Sequence, residues 1–151
     1  MDARTAHSRD LAAVFSHLAD RVSAEHASAG QRGLSPKDAL FLNLKEGRAH
    51  ALVDGGEPVA IVSWDESDDI ATTSFAAAER FFTASTVRFC ARHIRRIQAL
   101  CGNRPIQSLS WSDRADVAKW FRVIGFVEIG RGDGYTIYEL PPQSGSAPKS
   151  H

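Results

Sequence analysis

IQSLSWSDRADVAKWFRVIGF, residues 106–126, reads as a buried strand, a tight capped turn and a short amphipathic helix that closes on a glycine and runs straight into another strand. Ile106, Leu109 and Trp111 supply strand-forming bulk in a short run. Ser112 or Asp113 is placed to cap the helix, and a second carboxylate, Asp116, falls in its first turn, where unpaired N–H groups favour negative charge. Val117, Trp120, Phe121 and Ile124 recur at i, i+3, i+4 and i+7, one apolar face. Gly125 stands where a left-handed C-terminal residue is needed, and Phe126 restarts a strand. The rest of the chain must supply the sheet on which this unit docks.

Downstream, Val127 to Gly130 and Tyr135 to Leu140 form a hairpin through Gly132-Asp133-Gly134, followed by the low-complexity tail PPQSGSAPKSH. The domain is set at residues 1–141 and a flexible tail at 142–151. Upstream, the longest helix runs from about Ser85 to Leu100. Val87, Cys90, Ala91, Ile94, Ile97 and Leu100 lie on one side, and Arg88, Arg92, Arg95 and Arg96 mostly on the other. Gly102-Asn103 ends it and Pro105 forbids continuation. Thr72 to Ala78 is a strand preceded by an acidic loop, Asp65 to Asp69. Arg48–Asp54 and Glu57–Trp64 make a hairpin around Asp54-Gly55-Gly56, alternating at Ala49, Ala51, Val53 and then Val59, Ile61, Ser63. Ser35-Pro36 starts a helix with Leu40, Phe41 and Leu44 inward, ended by Gly47. One helix is expected from Ser8 to about Ala27, with Leu11, Val14, Phe15, Leu18 and Val22 as its stripe, after a short strand at Asp2–Ala6. The order β, α, α, β, β, β, α, β, α, β, β predicts an α/β fold with a mixed central sheet and helices on both faces.

A chain of 151 residues with 43% hydrophobic and 24% charged residues is an ordinary single globular domain. Formal net charge is zero, so no global field draws the chain to nucleic acid or an anionic membrane, and a nucleic-acid partner is not expected. The arginine face of the long helix is read as solvated. No apolar run is long enough to span a bilayer, and MDARTAHSRD lacks the apolar core of a signal peptide. Cys90 and Cys101 lie about 16 Å apart if both are helical, too far for an intrachain disulfide, and read as buried small hydrophobes. The six histidines show no metal-ligand spacing, so no metal is expected.

The element order and the WFRVIGF ending resemble the GNAT N-acetyltransferase fold over nearly the whole chain. The resemblance implies that two adjacent parallel strands, here Thr72–Ala78 and Ile106–Trp111, splay apart to admit acetyl-CoA, with Phe75, Ala77, Ser110 and Ser112 lining the cleft. It also implies a glycine-rich turn of the form (Q/R)xxGx(G/A) after the first of them, whose N–H groups cradle a pyrophosphate at a helix N-terminus. The equivalent segment, Glu79 to Thr86, has no glycine and carries Phe81 and Phe82. Arg80, Ser85 and Thr86 are what remains to hold an anion. Many GNAT enzymes place a tyrosine four residues before the final glycine as general acid; Phe121 stands there and has no proton to give. Glu79 and Asp113 are the residual acid–base candidates.

A narrower resemblance joins the SRDLAAVFSHLADRVSAEH helix, the DGGEPVAIVSW hairpin and SLSWSDRADVAKWFRVIGFVEIG to the GNAT-like proteins of short-tailed bacteriophages, the internal virion protein A type. It implies a morphogenetic or virion-associated protein on a GNAT fold that has lost or altered catalysis, with phage structural or assembly proteins as partners and the host cytoplasm or the virion as its place. The alternative is an acyltransferase that takes acetyl-CoA and modifies a protein or small-molecule amine.

Overall fold

The computed structural model describes residues 1–144. Seven strands form one mixed sheet: β1 (Asp2–Thr5), β2 (Ala49–Asp54), β3 (Glu57–Glu66), β4 (Ala71–Ala77), β5 (Ile106–Ser110), β6 (Val127–Gly132) and β7 (Tyr135–Leu140), in the spatial order β1-β2-β3-β4-β5-β7-β6. Five helices accompany them: α1 (Ser8–Phe15), α2 (Asp20–Gly30), α3 (Pro36–Lys45), α4 (Ala84–Leu100) and α5 (Ala115–Val123). Every neighbouring pair of strands is antiparallel except β4 and β5. That parallel pair holds for two rows only, Ala71 opposite Ile106 and Thr72 opposite Gln107, after which the strands part.

The register sorts the helices. Ile61 faces α1 and α3, as does Ser63, whose hydroxyl accepts from Asn43 on α3 at 3.1 Å. His50, Val62 and Trp64 face the other way, toward α4, where His93 meets His50. Helices on both sides bury β3 continuously from Val59 to Trp64. The expected alternation there gives way to the pattern of a strand covered on both faces. Strand β3 also extends to Glu66, so Asp65 and Glu66 belong to the sheet and not to a loop.

The single helix expected from Ser8 to Ala27 is two helices. Ser16 caps the first, its hydroxyl bonding the Ala13 carbonyl, and Ala19 N–H leaves the helical ladder to bond Ala77 O at 2.9 Å. Leu18 makes an isolated bridge with Ala78. A few residues of the α1–α2 connection thus occupy the edge of β4 that β5 has abandoned. In α3, Ser35 caps at Asp38 N–H as its Ser-Pro pair predicts. Phe41 is 42% exposed, however, and the inward place goes to Asn43, which its bond to Ser63 keeps satisfied. Leu100 likewise points outward, because Ile97, Gln98 and Cys101 take the buried side of that last turn. Cys90 and Cys101 are free and buried.

The 106–126 unit forms as read, with three local differences, the first that Leu109, in the strand read as buried, is 50% exposed. Trp111 lies outside β5, and neither Ser112 nor Asp113 caps α5, whose N-cap is Arg114 without a side-chain cap: Ser112 Oγ accepts from Arg114 N–H at 3.2 Å, and Asp116 chelates the Arg114 guanidinium. Phe121 stacks on Tyr138 at 4.1 Å, fastening α5 to the sheet. The proposed tail boundary falls where Pro141 O accepts from Gln98 and Arg95 and Gln143 pairs with Asn103; residues 145–151 lie outside the described residues.

Gly125 has φ +100°, and a Cβ there would sit 3.2 Å from Leu140 Cδ1. Gly125→Ala should therefore destabilise the protein by about 1–3 kcal/mol, read as a lower urea midpoint at unchanged slope.

The His50–His93 contact sets a pH dependence. His50 Nδ1 and His93 Nε2 share one hydrogen bond at 2.8 Å, and His93 Nδ1 is buried without a partner among the described residues. Burial lowers both rings below 6.5, His93 to about 4, helped by the charge on His50 and on Arg96. Below pH 6.5 the unfolded chain takes up protons that the folded pair refuses, so stability is full above that pH and falls as the pH drops toward about 4. A melting temperature followed from pH 7 downward should show this decline, and His93→Leu should flatten it.

Candidate functional site

The parting of β4 and β5 leaves two strand edges facing each other with unpaired backbone groups, and buried backbone must find partners. Helix α2 supplies them. His26 Nε2–H donates to Phe75 O on β4 at 3.1 Å, adding to the Ala19–Ala77 bond on the same edge. Glu25 reaches the opposite lip: Oε1 accepts from Ser110 Oγ and Oε2 from Trp111 N–H, 2.5 Å each. One turn earlier, Arg21 lays its guanidinium 4.0 Å over the Phe82 ring, between Glu79 and Asp116, each 3.8 Å away. One helix therefore spans both lips of the cleft.

Between the lips lies a cavity of about 450 Å³. Its walls are mainly apolar, including Phe75, Leu109, Trp111, Trp120, Phe121 and Ile137, with Arg21, Glu25 and His26 as its charged or titratable groups. Phe75 stacks on Trp120 at 5.0 Å, and Phe81 and Phe82 meet the same indole edge-on. Burial raises the Glu25 carboxyl above its ordinary value, against the pull of the Ser110 hydroxyl and the Trp111 amide. Burial also lowers His26, opposed by its bond to Phe75 O. The two groups stand on opposite lips of the cavity, Glu25 bonded to the β5 side and His26 to β4.

The β4–α4 turn is closed on itself. A single 3-10 turn, Glu79–Phe81, bends the chain and sinks Phe81 completely. The N–H groups of Phe81, Phe82 and Thr83 bond Ala78 O, Glu79 O and Phe81 O; Thr86 N–H bonds Thr83 Oγ1, and Val87 N–H bonds Thr83 O. Those groups are therefore already committed within the turn.

The residues singled out from the sequence fall in several places. Phe75 lines the cavity, and Ser110 is buried at the β5 lip with its hydroxyl donated to Glu25, outside the cavity's walls. Ala77 is fully buried under the α1–α2 connection, and Ser112 is engaged with Arg114 N–H; neither lines the cavity. Arg80 turns outward to Glu57 at 3.1 Å, beside a separate depression near His17. Thr86 is buried with its hydroxyl on Thr83, while Ser85 is exposed. Glu79 is an exposed partner of Arg21, and Asp113 is exposed on the loop before α5. The structure thus does not bring Arg80, Ser85 and Thr86 together as an anion site. Glu25, His26 and Arg21 were absent from the sequence reading, because their partners lie far along the chain. Among the described residues no three His, Cys, Asp or Glu side chains are grouped to hold a metal, and no helix is long and apolar enough to cross a membrane.

No family model and no curated protein matches the sequence. Solved structures do. The PaiA N-acetyltransferase of Thermoplasma acidophilum, in complex with coenzyme A, superposes with a TM-score of 0.68 at 9% identity, over 94% of this chain and 98% of that one. The ribosomal-protein-S18-alanine N-acetyltransferase of Escherichia coli gives 0.67 at 15% identity, over 96% of each. The GNAT domain of S. lividans PAT gives 0.67 at 18% identity, over 91% and 88%. The fold is that of the GNAT N-acetyltransferases, and at these identities the likeness is one of fold.

Glu25→Gln keeps the shape but turns an acceptor into an amide N–H₂ facing the donors of the β5 lip. A loss of about 1–3 kcal/mol is expected from the unpaired polar group, measured by chemical denaturation; Ser110→Ala should cost less, since it removes a donor and leaves Glu25 its bond to Trp111.

Proposed function

We propose that this chain is a GNAT-fold protein that works by binding rather than by turning over acetyl-CoA, and that it serves phage particle assembly or resides in the virion as an internal or accessory component. The observation that carries the first half is the β4–α4 turn, which bonds the N–H groups of Phe81, Phe82 and Thr83 within itself and buries Phe81 completely. A pyrophosphate at a helix N-terminus needs such groups free and pointing at it. The second half rests on the sequence resemblance, and it makes phage structural or assembly proteins the partners and the host cytoplasm or the particle the location.

The alternative reading is an acetyl-CoA-dependent N-acyltransferase acting on a protein or small-molecule amine. It is favoured by the 450 Å³ cavity and by Glu25, whose buried carboxyl is placed to receive a proton from a nucleophile within it. Proximity in a closed cleft supplies rate even without a dedicated general acid.

Calorimetric titration with acetyl-CoA, with CoA alongside, separates the two. No saturable heat at about millimolar ligand is expected; a Kd of about 1 μM, roughly 8 kcal/mol of binding, would instead establish the cofactor site and move the acyltransferase reading to first place. Mass spectrometry of purified particles and assembly intermediates should detect the chain, and its absence from both would remove the virion role.

A further inference from the structure

Zero net charge hides a segregated distribution. Residues 49–79 carry Asp54, Glu57, Asp65, Glu66, Asp68, Asp69 and Glu79 without a single Lys or Arg. Residues 80–112 carry Arg80, Arg88, Arg92, Arg95, Arg96 and Arg104 without a single Asp or Glu. Three of these arginines are engaged: Arg80 with Glu57, Arg104 with Glu66, and Arg95 with Gln98 and Pro141 O. Arg88, Arg92 and Arg96 are exposed and make no ion pair or hydrogen bond among the described residues.

These three recur every fourth residue along one edge of α4, opposite the buried face of Cys90, Ile94 and Ile97. At about 1.5 Å of rise per residue they mark a row of about 12 Å. Like charges at i, i+4 destabilise a helix, and no acidic residue on α4 relieves the repulsion. A face that bears this conflict unrelieved is one that an anionic partner would relax.

We propose that the exposed edge of α4 binds the phosphate backbone of duplex nucleic acid without reading its sequence. All three residues are Arg, whose planar fork grips phosphate through paired N–H groups. Duplex presents one phosphate per about 3.4 Å along each strand, so the row spans three or four of them. A protein partner would need an apolar or aromatic centre to its interface, and a single strand would need exposed rings on which to stack bases. From Arg88 to Arg96 the exposed side chains of this edge are the three arginines alone, with no exposed ring among them, and the exposed apolar Leu100 lies one turn beyond, at its end.

The test is fluorescence anisotropy of a labelled random-sequence duplex with the full chain, from about 50 to 200 mM salt. Binding should weaken with a log–log slope of about −2.7, that is about −0.9 for each of three phosphates. The triple variant Arg88→Gln, Arg92→Gln, Arg96→Gln should lose about tenfold or more in affinity and most of the slope. Arg9→Gln on α1 should change neither. The triple Lys variant, which keeps the charge and loses the fork, should keep the slope and weaken the affinity, and it covers the case in which the Gln variant misfolds. Absence of salt-dependent duplex binding, an unchanged slope in the triple Gln variant, or binding of polyglutamate in place of duplex would each overturn the proposal.

Discussion

The parallel pairing of β4 and β5 ends after two rows, and the rest of the molecule is arranged to tolerate that. A central sheet that opens in its middle exposes two edges, each with N–H and C=O groups that water satisfies poorly once helices cover both faces. Outer edges of a sheet face solvent, but this pair faces inward. The chain answers with one helix. Helix α2 bonds the β4 edge through His26 and the β5 lip through Glu25, and the connection ahead of it bonds Ala77. The break in the N-terminal helical run follows from the same demand, since an unbroken helix from Ser8 would hold Ala19 N–H in its own ladder and leave Ala77 O unpaired.

The opposite side of the opening is filled by rings. Phe75, Phe81, Phe82 and Trp120 form one cluster across the gap between β4 and α5, with the Arg21 guanidinium lying on its outer member. A glycine-rich turn would bring the backbone close to a ligand and keep its N–H groups free; this turn coils into a 3-10 bend, bonds the N–H groups of Phe81, Phe82 and Thr83 within itself and buries a phenylalanine. Sterics and hydrogen bonding thus agree. What remains open is the mainly apolar cavity nearer α2, whose polar character comes from groups that also hold the strands.

Local signals in the sequence carried the elements whose stability is local. Ser35-Pro36 announced α3, the glycine turns announced both hairpins, and the stripe from Val117 to Ile124 with Gly125 behind it announced the unit that docks on Tyr138. The absence of glycine from Glu79–Thr86 was also legible, and the segment proved to be a turn that bonds the N–H groups of Phe81, Phe82 and Thr83 within itself. What could not be read were partnerships across long separations. Glu25 looks like any helical carboxylate until Ser110 and Trp111 arrive 85 and 86 residues later. Asn43 looks like a surface residue beside Phe41 until Ser63 offers it a buried hydroxyl, and then the two exchange places. Helical periodicity also ran straight through Ser16–Ala19, because Leu18 and Val22 are as apolar as a continuous stripe requires; only the needs of β4 show that the ladder must break there.

These features have a joint energetic consequence. A cleft that is empty and unsatisfied without its ligand couples folding to binding, since anything that binds only the native state adds RT ln(1 + [L]/Kd) to stability. Here His26, Glu25 and the aromatic cluster satisfy and pack most of the opening from within the chain, so the native state stands with little help from a ligand. The same arrangement sets a threshold for any occupant of the deeper cleft. It would have to displace a backbone-bonded imidazole or a doubly hydrogen-bonded carboxylate, or part stacked rings, before gaining contacts of its own. An occupant confined to the existing cavity meets no such threshold, provided it is small and mainly apolar and presents to Glu25 a group that the carboxylate can accept from. The groups that close the gap between β4 and β5 are thus the same ones that wall the cavity left beside them.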